Sequence, residues 1–157
     1  MMVSRRSREP QSWDHDINRT LPHGSIEVLA IVWWLRMPFR NVGEQIGGSF
    51  VLDGETYLVE AKWVTDPVGD RDLHAFHGKL DGKAQWARGL FVSYNGFTDE
   101  GLASFGKGKK AICMEGRDFY DALERGIPLR EVLERKVRHA AETGHPFLRV
   151  MDLYGRG

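Results

Sequence analysis

The chain contains very little cysteine, carries no net charge and lacks a long hydrophobic run. Cys113 is the single cysteine in 157 residues, so no intrachain disulfide can form, and a reducing cytoplasm is the expected compartment. Its apolar neighbours predict a buried, inert thiol rather than a reactive one. The longest apolar run, residues 28–35, is far shorter than the roughly 20 residues that cross a bilayer. No apolar segment directly follows Arg5, Arg6 and Arg8, so we expect neither a secretory signal nor a membrane partner.

The charge balance leaves the class of partner open. Lysine plus arginine total 22, and aspartate plus glutamate also total 22. This balance gives no argument for nucleic-acid binding, but a local basic patch would suffice for it. The length suits one domain with a real hydrophobic core. We interpret residues 1–22 as a flexible polar and basic arm and residues 23–152 as the folded domain.

The segment from Gly43 to Val64 predicts a β-hairpin with charged residues on one face. Asp53-Gly54 is a two-residue turn signal between runs rich in apolar and β-branched residues. In the second run, alternation buries one face and places Glu60 and Lys62 together on the other, roughly 6–7 Å apart. A carboxylate and an ammonium group are therefore expected side by side on a strand.

The turn also predicts which residues of the two strands face each other. If Asp53 and Gly54 are the central turn residues, Glu60 faces Gly47, while Tyr57 meets Phe50 in an apolar layer on the opposite face. A longer turn with a bulge would shift this register by one residue.

The rest of the chain predicts helices and strands in alternation, and hence an α/β fold with a mixed sheet flanked by helices. A buried helix is expected over 26–36, and a helix starting at Asp70 or Asp72 follows the hairpin. A central strand over 90–94 precedes a short helix capped by Thr98. The remaining expectations are a strand over 110–114, a turn at 115–116, a helix ending near 126, a helix from Pro128 to Gly144, and an edge strand over 146–150.

Two segments together resemble a known family. A hairpin whose second strand carries Glu60-Ala61-Lys62 is similar to the PD-(D/E)xK nucleases, and the later segment G-L-F-V-S-Y-N-G-F-T resembles the Mrr-type restriction endonuclease domain. The resemblance implies a restriction-endonuclease-like fold and hydrolysis of phosphodiester bonds in double-stranded DNA. It also implies a Mg²⁺ cofactor, for which Mn²⁺ can substitute, and it is compatible with a homodimer.

The resemblance assigns roles to individual residues. Glu60 is the expected metal ligand, with the backbone carbonyl of Ala61 as an extra oxygen, and Lys62 is the expected catalytic cation. Glu27 is a further candidate ligand, because the family often places a glutamate on its first helix beside the metal. The alternative role for Glu27 is a favourable charge at a helix N-terminus. The family carries an acidic residue opposite Glu60, where this chain has Gly47.

Two nearby carboxylates are weighed as substitutes for the acid missing at Gly47. Asp53 lies upstream of Glu60, but the hairpin places it in the turn, about 20 Å of strand away, and excludes it. Glu44 is closer to the site. The alternation along the strand places the Glu44 side chain on the buried face, unless a bulge at Gly47-Gly48 reverses the direction of that side chain.

Basic and histidine residues outside the hairpin give weaker signals. The loop containing Lys107, Lys109 and Lys110 is either a surface linker or a contact to the phosphate backbone. His74 and His77 have a spacing that could share a metal. No third ligand accompanies them, so packing or a surface position is the favoured interpretation.

Two classes of function remain open from the sequence, with a third, simpler possibility beside them. The first is a restriction-type DNA endonuclease that uses a divalent metal, with full activity or with activity weakened by Gly47. The second is a catalytically inactive module of the same fold that binds DNA or a protein partner. The third is a fold remnant with no role on nucleic acid.

Overall fold

The structure, a computed structural model, describes residues 46–62 and 64–155, and side chains within its first strand from Ser49 onward. The predicted arm and the predicted helix over 26–36 lie outside these residues. The described part alternates strands and helices, with these bounds: β1 Ile46–Leu52, β2 Glu55–Lys62, α1 Asp70–Asp81, β3 Arg88–Ser93, α2 Asp99–Phe105, β4 Ala111–Glu115, α3 Gly116–Glu124, α4 Leu129–Thr143 and α5 Val150–Leu153.

The hairpin of β1 and β2 has the predicted turn and the predicted register. Asp53 and Gly54 have φ angles of 51° and 80°, the left-handed conformation that a two-residue hairpin turn requires. The strands are antiparallel, and Gly47 pairs with Glu60. On the opposite face, the rings of Phe50 and Tyr57 stack with centroids 5.1 Å apart. The prediction that Glu60 faces Gly47 is therefore confirmed.

The four described strands form one mixed sheet in the order β1-β2-β3-β4. β2, β3 and β4 are parallel, and α1 and α2 supply the crossovers that parallel neighbours need. β3 is central, and its residues Leu90, Phe91 and Val92 are each no more than 3% exposed. A short apolar run of this kind is typical of a strand covered on both faces.

Two hydrophobic cores cover the two faces of this sheet. One face packs against α3, α4 and α5, and the other packs against α1 and α2. The second core holds Leu73, Phe76 and Leu80 of α1 together with Phe91 and Phe105. Because Glu60 alternates with the residues of the first core, its side chain lies on the face that α1 covers. The predicted α/β architecture, a mixed sheet flanked by helices, is confirmed.

The helix boundaries largely follow the signals in the sequence. The Thr98 side chain accepts a hydrogen bond from the N–H of Gly101, as expected for the residue that caps α2. Gly144 ends α4 with a φ of 78°. The turn predicted at 115–116 is wrong, because Glu115 ends β4 and α3 begins directly at Gly116. Glu115 and Asp118 form a reciprocal capping box that makes this abrupt transition possible.

The edge strand predicted over 146–150 is also wrong. The carbonyl of Pro146 accepts one hydrogen bond, 2.8 Å long, from the N–H of Cys113 in β4. Proline has no N–H that could donate a hydrogen bond back to the strand. The carbonyl of Leu148 instead accepts a hydrogen bond from the Lys136 ammonium group at 2.5 Å. The segment therefore makes one backbone hydrogen bond to the sheet and continues into the short helix α5. None of the helices in the described ranges is long and apolar enough to cross a membrane.

Cys113 lies in the middle of β4 and is fully buried, as predicted. Burial raises the pKa of its thiol to about 12, against a smaller opposing effect of Lys136. A thiol with this pKa remains protonated at neutral pH, so it supplies no nucleophile. The prediction of a buried cysteine is confirmed, and its protonated state explains why it should be inert.

Candidate active site

Glu60 is a buried carboxylate in the interior of the sheet. It pairs across the backbone with Gly47 of β1 on one side and with Phe91 of β3 on the other. The residue is only 4% exposed. An ionised carboxylate at such a depth needs partners, because burial without them is strongly unfavourable. The contacts of this group therefore decide what the site can do.

Within the described part of the chain, one oxygen of Glu60 has a hydrogen-bond partner and the other does not. Lys79, in the last turn of α1, donates from Nζ to Oε2 of Glu60 at 2.9 Å. Oε1 is buried and has no hydrogen-bond partner within the described residues. Buried polar atoms without partners are rare in folded proteins, so this oxygen marks a position that can accept a ligand.

Lys62 lies two residues further along β2, on the same face. Its ammonium group donates to Oδ1 of Asp72 at 2.5 Å, and its side chain is 12% exposed. Asp72 belongs to the first turn of α1. The carboxylate fixes where the flexible lysine side chain ends, because a charge-assisted hydrogen bond is both strong and directional. Helix α1 thus contacts Lys62 through its first turn and Glu60 through its last turn.

The carboxylates considered as substitutes for the acid missing at Gly47 do not complete the site within the described residues. Asp53 is in the turn, at the opposite end of the hairpin from Glu60, and it contacts Arg130. The prediction that Asp53 lies in the hairpin turn, away from Glu60, is therefore confirmed. Glu27 and Glu44 lie outside the described residues. Gly47 itself has only backbone atoms to offer.

The residues present fit a divalent cation in part. The free oxygen of Glu60 is the kind of ligand that Mg²⁺ takes, and Mg²⁺ keeps several waters when few protein ligands are offered. No group of three or more histidine, cysteine, aspartate or glutamate side chains in the described ranges is arranged to hold a metal. The described chain thus offers one carboxylate, with the carbonyl of Ala61 as the predicted addition.

The two histidines of α1 take part in packing. The rings of His74 and His77 meet the ring of Phe105 edge-on, with centroids 5.8 Å and 6.0 Å away. His77 also contacts Asp81, one turn further along the helix, at 3.1 Å. These contacts agree with the interpretation favoured from the sequence.

Sequence reasoning missed Lys79 and Asp72 as site residues. They are seven positions apart, which is two helical turns, so they lie on one side of α1. That spacing was visible in the sequence, as were the buried positions Leu73 and Leu80 that flank them. The missing information was which residues of β2 this side of the helix would cover.

A second carboxylate lies at the same end of the sheet but belongs to a separate group. Glu115 of β4 aligns with Ser93 of β3, which aligns with Lys62. Burial is the largest cause of its raised pKa, with a further contribution from Asp118 and an opposing one from Arg149. Two strand spacings, about 10 Å, separate its backbone from that of Lys62. Its carboxylate contacts Arg149 at 3.3 Å, whereas that of Glu60 contacts Lys79, so the two carboxylates have different partners.

The basic loop lies at the other end of the sheet. Lys109 lies over the ring of Phe105, 5.6 Å from its centroid, and Lys110 donates to the carbonyl of Gln85 at 3.5 Å. The loop leads into β4, whose first residue, Ala111, pairs with Gly89 of β3. Gly89 lies four residues, about 13 Å, before Ser93, the residue of β3 that pairs with Lys62. The structure does not bring Lys107, Lys109 and Lys110 next to Glu60.

Comparison with known proteins places this site in a family. A family model described as a restriction endonuclease, of the Mrr catalytic type, matches residues 44–123, slightly more than half of the chain. This range includes the hairpin, α1 and β3, and with them Asp72 and Lys79, whose side chains pair with Lys62 and Glu60. Searches of curated proteins and of solved structures gave no significant match. The chain belongs to the Mrr-type restriction endonuclease family and has its restriction-endonuclease-like fold.

Proposed function

We propose that this protein is a DNA endonuclease that hydrolyses phosphodiester bonds with the help of Mg²⁺ or Mn²⁺ bound at Glu60. The observation that carries the proposal is the buried oxygen of Glu60, which lacks a partner in the described structure and lies on the same strand face as Lys62. Membership of a restriction endonuclease family supplies the reaction class. Double-stranded DNA is the proposed substrate.

Each residue of the chain has a separate task in this proposal. Glu60 holds the cation on the face covered by α1, with the Ala61 carbonyl as a second oxygen. A divalent cation there supplies positive charge against the phosphate and makes nearby water more acidic. Lys62, positioned by Asp72 at 2.5 Å, stabilises the negative charge that develops on the phosphate.

The absence of a carboxylate at Gly47 favours a second candidate function. With one acidic ligand fewer, the same fold could bind DNA without cutting it. Binding of that kind depends on phosphate contacts and weakens steeply as salt is raised. The basic residues Lys107, Lys109 and Lys110 are the proposed phosphate contacts in either case, and a homodimer would let two sites act on two strands.

The decisive experiment is nicking of supercoiled plasmid by the purified protein in Mg²⁺ or Mn²⁺. We expect cleavage by the wild type and a loss of about a hundredfold or more in Lys62→Ala, because a group that stabilises transition-state charge is removed. Lys83→Ala, an exposed lysine just beyond α1, is the matched control and should cleave normally.

Two outcomes would redirect the proposal. Cleavage that persists in Lys62→Ala would show that the assigned site is wrong. A salt-dependent shift of DNA by the wild type, with no cleavage in either metal, would instead support the binding module.

A further inference from the structure

Lys79 and a divalent cation require the same carboxylate. The Lys79 ammonium group is 2.9 Å from Oε2 of Glu60, which is the residue proposed to hold the metal. An ammonium group on Oε2 and a divalent cation on Oε1 of the same carboxylate would lie close together, and two cations so near each other repel strongly in a buried site. The contact therefore bears directly on how the metal would enter.

The exposure of the two side chains indicates which one can move. The Glu60 side chain is 5% exposed and belongs to an interior strand, whereas the Lys79 side chain is 53% exposed at the end of a helix. Lysine carries its charge on a flexible four-carbon stem that can move without any shift of the backbone. The lysine thus reaches Glu60 from the solvent side, and it can withdraw along the same route.

The unsatisfied oxygen indicates what would displace the lysine. Lys79 satisfies only Oε2 of Glu60, while Oε1 stays buried without a partner in the described structure. A bound cation with its waters would engage the oxygen that the lysine leaves unpaired. Exchange of the ammonium group for a metal therefore replaces a partly satisfied carboxylate with a more fully satisfied one.

We infer that Lys79 is a built-in competitor of the metal, which neutralises Glu60 in the metal-free protein and opposes the binding of a divalent cation until it withdraws. This inference rests on the proposed function. It makes Lys79 a positioning residue that sets the metal concentration at which the site is loaded. Affinity for the metal is then lowered by the fraction of molecules in which the lysine holds the carboxylate.

Titration of the intact protein with MnCl₂ in a calorimeter tests this inference without relying on activity. If the lysine contact is formed about nine-tenths of the time, its removal should tighten the Mn²⁺ dissociation constant roughly tenfold. We expect this gain in Lys79→Met and also in Lys79→Gln. The glutamine keeps a hydrogen-bond donor for Glu60, so it provides the measurement if the methionine variant fails to fold.

Three further variants separate competition from a general effect of charge. Lys83→Met removes a nearby exposed lysine and should leave Mn²⁺ affinity unchanged. Lys79→Arg keeps the positive charge and should bring no gain. Glu60→Gln combined with Lys79→Met should abolish the gain, since the contested carboxylate is absent. Thermal denaturation gives a second readout, because Mn²⁺ should raise the melting temperature more in Lys79→Met than in the wild type.

The possible results distinguish this inference from the proposed function. Unchanged or weaker Mn²⁺ binding in both neutral Lys79 variants, with normal binding by the wild type, would overturn the inference alone. An equal gain in Lys83→Met would also overturn it, because the effect would then be unspecific. Failure of every variant and of the wild type to bind Mn²⁺ would overturn both the inference and the metal site at Glu60.

Discussion

The chemistry of this site depends on which side chain stands opposite Glu60 across the hairpin. Gly47 occupies that position in a regular antiparallel ladder, with Ile46 paired to Ala61 and Gly48 paired to Val59 on either side. A side chain added at Gly47 would point to the same face as Glu60, because paired residues of an antiparallel sheet share a face. The geometry for a second carboxylate is thus already present in the backbone.

Gly47→Asp should therefore increase metal binding and DNA cleavage. Two carboxylates opposite each other form a stronger site for a hard cation than one, and we expect Mg²⁺ and Mn²⁺ to bind about tenfold more tightly or better. Calorimetry with MnCl₂ and plasmid nicking are the measurements. Ser49→Asp, which adds the same charge on the same face two residues further along β1, is the control and should gain little. An unchanged dissociation constant in Gly47→Asp would contradict the pairing as a metal site.

The sequence was sufficient to predict the hairpin residues of the site but not the residues that contact them. Asp53-Gly54 and the alternation of β2 determine the register, so the opposition of Gly47 and Glu60 followed from local signals. The contacts of Lys79 and Asp72 depend on how α1 is rotated over β2. That rotation results from packing of the whole second core, for which a single sequence carries no local signal.

Among the elements, α1 is held in position by the start of α2. A Cβ atom placed on Gly101 would be 2.7 Å from Oγ1 of Thr98 and 2.9 Å from the backbone nitrogen of Asp70. The first turn of α2 thus touches the first turn of α1, two residues before Asp72. Glycine at this position allows the approach that brings Asp72 to Lys62, because any side chain would collide with backbone atoms.

Two glycine-to-alanine substitutions in these helices should have opposite effects. Gly101→Ala should lower the free energy of unfolding by about 1–3 kcal/mol and reduce nicking, because α1 must shift to make room. Gly78→Ala places its Cβ in open space on the exposed side of α1 and should raise the free energy of unfolding by about 0.5–1 kcal/mol. Urea denaturation measures both changes. A neutral Gly101→Ala would show that the contact between α1 and α2 is easily relaxed.

Helices and strands were predicted correctly where the signal came from residues that are neighbours in the sequence. The apolar run of β3 and the cap of α2 were correctly predicted, since each rests on neighbouring residues. The edge strand over 146–150 was wrong because its backbone groups are bound elsewhere. The Leu148 carbonyl is taken by Lys136, a residue of another helix, and this competition could not be predicted from the segment itself.

At the scale of the molecule, the buried ion pair of Lys136 and Asp118 connects helices α3, α4 and α5 to the sheet. The Lys136 ammonium group lies 2.9 Å from Oδ2 of Asp118, and both side chains are 1% exposed. Lys136 also donates to the carbonyl of Cys113 at 3.3 Å, and Asp118 accepts a hydrogen bond from the N–H of Val150 at 2.9 Å. β4, α3, α4 and α5 thus meet at a single pair of charges.

Removal of one member of this pair should destabilise the entire fold. Lys136→Met leaves the Asp118 carboxylate buried without its cation and should lower the free energy of unfolding by about 3–5 kcal/mol. Arg138→Met, an exposed change in the same helix, should alter it by no more than about 0.5 kcal/mol. Asp118→Asn added to Lys136→Met should restore part of the loss. Urea denaturation of the three variants is the check, and equal losses in Lys136→Met and Arg138→Met would contradict this role.

The pairing of Gly47 with Glu60 across the two strands also has a genetic consequence. Every glycine codon becomes a codon for aspartate or glutamate when its second base changes from G to A. The register opposite Glu60 is already formed, so a single transition mutation would place a carboxylate in the position that faces it. A population of cells carrying this gene therefore lies one nucleotide from the variants that we expect to bind metal more tightly, and selection for DNA cleavage would test whether they arise.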